Sequence, residues 1–149
     1  MQVSEQTPNA AVYHHELPTK THTFVAAVAL IRLDDTAPFE EAAAPHGLSD
    51  PARYTVVEAT HQPDTSRKTR CIRYSLELID AKAPNSPTAP LRFLERGLVC
   101  AHPSIPGAAV RASFSERGLP EEMDPRLWDD LEGFLSGVQL ESAPGVPAA

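Results

Sequence analysis

The most regular pattern in the chain is an alternation of apolar and polar positions with a period of two. From residue 72, Ile72, Tyr74, Leu76 and Leu78 fall on one side while Arg73, Ser75 and Glu77 fall on the other, as in a strand with one covered and one wet face. The pattern returns at Val110, Ala112 and Phe114 against Arg111, Ser113 and Ser115. It also runs from Tyr54 to Ala59, where Tyr54, Val56 and Glu58 oppose Thr55, Val57 and Ala59. Leu91 to Ala101 predicts a further strand. Thr21 to Leu33 predicts a buried one, because Val25, Val28 and Ile31 outweigh a length that would also suit a helix. Short strands joined by tight loops predict an antiparallel meander, since parallel pairing needs a crossover of about a dozen residues.

Two segments carry helical signals. Pro38 followed by Phe39-Glu40-Glu41-Ala42-Ala43-Ala44, stopped by Pro45 and Gly47, predicts two turns with acids near the positive end. Toward the end, Asp124 is placed to cap and Pro125 to open a helix. Leu127, Trp128, Leu131, Phe134, Leu135 and Val138 then recur on one helical face. Gly133 and Gly137 weaken that helix, and close approach to a neighbouring strand would account for them. The expected fold class is therefore α+β: an antiparallel sheet of about five strands packed against a C-terminal amphipathic helix, with one short helix near residues 38–44. Residues 1–20, polar and aperiodic, are expected as an extended arm or a short edge strand. Residues 21–140 are expected as a single domain and 141–149 as a loose tail.

Composition narrows the function classes. A chain of 149 residues suits one core. Its 15 prolines against 7 glycines cluster at Pro84-Asn85-Ser86-Pro87 and Pro103-Ser104-Ile105-Pro106, which predicts stiff loops. The loop from Ala83 to Pro90 is one candidate contact surface, because a stiff loop loses little entropy on binding. A formal charge of −7 has the wrong sign for a phosphate-binding partner, so nucleic acid is not expected. The longest apolar run, Phe24 to Ile31, is strand-sized, and no membrane span is expected. Met1 to Glu5 lacks the charged start and apolar core of a secretory signal. That leaves a cytosolic protein, or one from which a signal or an upstream domain has been removed.

Candidate chemistry is sparse. Cys71 and Cys100 are the only cysteines, compatible with a disulfide or with two buried thiols. Cys100 and His102, two apart on a strand, would share a face as a nucleophile and base need, but no orienting third group accompanies them. A cysteine-dependent enzyme is thus the minor reading. His14, His15, His22, His46, His61 and His102 include no i, i+4 pair on a helix and no CxxC unit accompanies them, so no metal or other cofactor is expected. The acidic pairs Asp34-Asp35, Glu40-Glu41, Glu121-Glu122 and Asp129-Asp130 sit where loops and helix starts carry solvated acids.

One stretch resembles a known family. Gly97-Leu98-Val99-Cys100-Ala101-His102-Pro103, then Val110-Arg111-Ala112-Ser113-Phe114-Ser115-Glu116-Arg117-Gly118, then the helix through Trp128 and Phe134, resembles the C-terminal domain of bacterial immunity proteins that neutralise type VI secretion lipase effectors. The resemblance implies a periplasmic, non-enzymatic protein that binds a phospholipase toxin and blocks its access to substrate. The alternative is an accessory domain of the cell envelope or cytosol that binds another protein. On either reading Arg73, Glu77, Arg111 and Glu116, expected on the sheet's outward face, are the candidate partner-binding residues. Alternating charge on a wet face serves solubility equally well.

Overall fold

The computed structural model describes residues 2–34, 36–45 and 50–140. Its strands are β1 (Gln2–Thr7), β2 (Ala10–His15), β3 (Thr23–Arg32), β4 (Tyr54–Pro63), β5 (Cys71–Asp80), β6 (Leu91–Ala101) and β7 (Ala108–Gly118). They form one antiparallel sheet in the order β1-β2-β3-β7-β6-β5-β4. The meander expected from Tyr54 onward is β4 to β7. It is zipped to the meander β1 to β3 by the pairing of β3 with β7, which runs from Thr23 opposite Arg117 to Arg32 opposite Ala108. The link from β3 to β4 therefore leaves the middle of the sheet and returns at its far edge. On the way it forms α1 (Phe39–Ala43), inside the helix expected at 38–44.

Register shows why a single covered face was the wrong expectation. Ile72 lies opposite Val99, and Val99 opposite Arg111, so the apolar side of β5 shares a face with the polar side of β7. Both faces of the sheet are consequently covered. On one, Phe24, Ala26, Leu98, Ala112 and Phe114 pack under the C-terminal segment, with Leu131 and Leu135 buried among them. On the other, Ile72, Tyr74, Val99 and Ala109 pack with Ala43, and Phe39 lies against them.

The expected five strands and long amphipathic helix are both corrected. Seven strands are present among the described residues, because residues 2–15 form a hairpin that extends the sheet. The C-terminal segment is a 3-10 turn, Pro125–Trp128, followed by α2 (Leu131–Ser136), six residues long. Asp124 does cap, accepting from the Arg126 backbone N–H at 3.0 Å. The break falls at Asp129 and Asp130, residues of low helix-interior preference; Asp130 is the N-cap of α2, without a side-chain cap hydrogen bond. The six apolar side chains still reach one core, Leu131 and Leu135 buried and Leu127, Trp128, Phe134 and Val138 packed against them. Gly133 is not explained by close approach, since a Cβ there would meet nothing within 4 Å. Asp35, His46, Gly47 and the tail 141–149 lie outside the described residues.

Candidate protein-binding edge

The four residues expected on one outward face are divided by the sheet. Arg73 is committed internally: its Nε donates to Asp64 Oδ2 at 3.0 Å, and its Nη1 to both Glu132 oxygens at 2.7 and 2.9 Å. It thus ties β5 to its hairpin loop and to α2. Glu77 accepts from Arg92 Nη2 at 2.6 Å. Arg111 is exposed on the opposite face. Glu116, only 1% exposed, presents no charge to a partner. Its carboxylate accepts from Trp128 Nε1 at 2.8 Å and from the Asp124 backbone N–H at 2.8 Å, and lies 2.7 Å from His22 Nε2. It fastens the C-terminal segment and the start of β3 to β7. Asp80, equally buried on the other face, takes a bidentate contact from Arg53 at 2.8 and 3.0 Å, with Arg117 at 3.5 Å.

Several of the remaining candidates also have structural partners. Cys71 and Cys100 face each other across β5 and β6 and form a disulfide. The Cys100 sulfur is therefore bonded, and the His102 ring is held elsewhere: its Nδ1 accepts from the Ser104 and Ile105 backbone N–H groups at 3.1 Å each. Among the described residues no three His, Cys, Asp or Glu side chains gather into a metal site. Asp34 accepts from Thr36, and Glu122 from Thr21 and Leu119. The loop from Ala83 is partly tied down: Ala83 and Ser86 are buried, and Asn85 donates to the Lys20 carbonyl at 2.9 Å. No helix among the described residues is long and apolar enough to cross a membrane.

What stands out is an edge strand. Every residue of β4 from 55 to 63 is exposed, including Val56 at 50% and Val57 at 54%. The direction of its free backbone groups follows from register. The Asp64 N–H bonds the Cys71 carbonyl, and these residues continue the β4–β5 ladder, so Gln62, Thr60 and Glu58 point their amides at β5 in turn. His61 and Ala59 therefore point theirs away from the sheet. Beyond the bulge between Val56 and Glu58, the bond from Ala81 N–H to the Arg53 carbonyl puts the odd residues of β4 toward β5, so Val56 again points outward. Three outward amides and two exposed valines make a template for another strand. Pro63, which has no N–H, closes one end. The alternation at Tyr54 to Ala59 revealed this strand, but nothing local in the sequence said that it would be an exposed edge.

No protein-family model matches the chain, and no curated protein is significantly similar to it.

Proposed function

We propose that the protein acts by binding another protein along β4, taking an extended segment of the partner as an eighth strand. The observation that carries this reading is the run of exposed residues from 55 to 63 with its outward amides at Val56, Ala59 and His61. Main-chain pairing supplies affinity in such complexes, and side chains alternating along the strand supply specificity. The resemblance of the Cys100 and Val110 to Gly118 strands to toxin-neutralising domains makes a type VI secretion phospholipase the partner we propose. The protein is then a periplasmic inhibitor, and the Cys71–Cys100 disulfide suits that oxidising compartment.

The test mixes the protein with a type VI secretion phospholipase effector and follows ester hydrolysis. Unchanged lipase activity at excess protein would sink the inhibitor reading. Ala59→Pro removes an outward N–H without touching the β4–β5 ladder, and Val57→Lys places a charge on the bulge. Each is expected to weaken binding by about tenfold or more, the worth of one or two hydrogen bonds and a buried valine. If the wild type inhibits and both variants inhibit as well, the contact lies elsewhere and the edge assignment is wrong.

A further inference from the structure

At the end of the sheet away from Asp80, three loops surround a cleft of about 690 Å³, within the usual range for small-molecule sites. The β4–β5 hairpin contributes Lys68 and Arg70, the β6–β7 hairpin His102 and Ile105, and the β3–α1 link Leu33 and Phe39. We infer that this cleft binds a small organic monoanion, a carboxylate carried on an apolar chain.

Two cationic side chains of the cleft have no carboxylate partner among the described residues. Arg53, Arg67, Arg73, Arg92, Arg117 and Arg126 each lie against a carboxylate. Lys68 and Arg70 have no ion pair among the described residues, although the chain carries seven more acids than bases. Two cations without an ion pair among the described residues thus border one cleft. The Arg70 guanidinium lies 5.1 Å from the Phe39 ring centroid, which holds it at the wall without neutralising it.

His102 adds a third donor. With Nδ1 accepting two backbone N–H groups, the hydrogen-bond network assigns the ring proton of the neutral imidazole to Nε2. That N–H has no partner among the described residues. The rest of the lining includes Leu33, Phe39 and Ile105, the last 46% exposed, and suits an alkyl chain. Asp34 also borders the cleft, its Oδ1 occupied by the Thr36 N–H and hydroxyl at 2.9 and 2.6 Å. Its charge opposes a dianion, and this favours a carboxylate over a phosphate ester.

The test is an NMR titration of the isotope-labelled protein with octanoate, octanol, acetate and octyl phosphate. Octanoate is expected to give saturable shifts at the Phe39, Thr69 and His102 amides below its micelle concentration. Octanol and acetate are each expected to bind about tenfold or more weakly, as is octanoate to the double variant Lys68→Ala, Arg70→Ala. Both side chains are exposed, so an unchanged melting temperature is expected for the variant and checks its fold. Octanol binding as tightly as octanoate would remove the anion from the proposal, and acetate binding as tightly would remove the apolar chain. Octyl phosphate binding more tightly would overturn the monoanion preference. An unaffected double variant, or no saturable shift with octanoate, would overturn the site itself.

Discussion

Replacing Glu116 by Ala should cost more stability than any other single surface-type substitution on β7. The carboxylate is 1% exposed and serves the Trp128 indole N–H, the Asp124 backbone N–H and the His22 ring. Without it two donors lose their acceptor. Leaving a buried donor unsatisfied costs about 1–3 kcal/mol, and breaking a buried charged contact about 3–5 kcal/mol. Trp128 and Asp124 are only partly buried and can recover water, so the expected loss is about 3–5 kcal/mol rather than the sum of every term. Against a usual total of about 5–15 kcal/mol this is a large fraction, and it corresponds to a fall in Tm of roughly 6–20 °C. Urea unfolding followed by fluorescence is the natural assay, because Trp128 is the only tryptophan and sits at the latch. Glu116→Gln keeps the shape and one acceptor but turns an NH₂ toward either the Asp124 N–H or the indole, so about half the loss is expected. Glu77→Ala, which removes a carboxylate paired with Arg92 near the surface, should cost no more than about 1 kcal/mol. A Glu116→Ala protein within about 1 kcal/mol of wild type would refute the latch.

Three further outcomes follow from local geometry. Gly97→Ala should destabilise by about 1–3 kcal/mol in urea unfolding, because its Cβ would lie 2.5 Å from the Ala112 carbonyl oxygen, whereas Gly133→Ala in the open helix surface should stabilise by roughly 0.5–1 kcal/mol; equal effects would contradict the packing described. The Ser66 hydroxyl and Arg73 hold Asp64 down to about 2, so its contribution is complete above about pH 5 and lost as pH falls toward 2; Asp64→Asn should remove about 2 kcal/mol of that acid-side dependence, and unfolding midpoints between pH 2 and 6 with an unchanged slope would argue otherwise. Reducing the Cys71–Cys100 bridge should lower stability by about 3–4 kcal/mol for a separation of 29 residues, and coincident unfolding curves with and without reductant would contradict that.

The strands β4, β5 and β7 were legible because period-two alternation is a local property of the chain, and β3 because its run of apolar and β-branched residues is local too. Which face each strand covers is not local. Ile72 and Phe114 both read as core, and both are buried, yet they lie on opposite sides of one sheet because Val99 relays the register between them. The hairpin of residues 2–15 escaped for a related reason. Ala11, Tyr13 and His15 share a face, but only Tyr13 among them packs against the core, and their order comes from the β3 ladder that they join. The C-terminal helix was over-read from periodicity alone, for a 3-10 turn and a short α-helix can place the same six side chains on one core while Asp129 and Asp130 interrupt the backbone pattern.

The same non-locality decides the candidate sites. Glu116 and Arg111 are equivalent in sequence, charged residues of one alternating strand, but one is a buried latch and the other an exposed cation. Charge therefore could not identify the binding surface here. The features that can are those that the fold leaves incomplete. An antiparallel sheet satisfies its inner strands and leaves its edges open, and β4 is an edge whose residues 55–63 are exposed among the described residues. Crossing from β3 to the far edge also brings the α1 link beside the two hairpins at that end, so Phe39, Arg70 and His102, far apart in sequence, come to share one cleft. Both proposed surfaces thus stem from one topological choice, the pairing of β3 with β7. That pairing places β4 last in the sheet and sends the link past the loops. The edge and the cleft have separate residues and separate probes, so failure of lipase inhibition leaves octanoate binding to be judged on its own result.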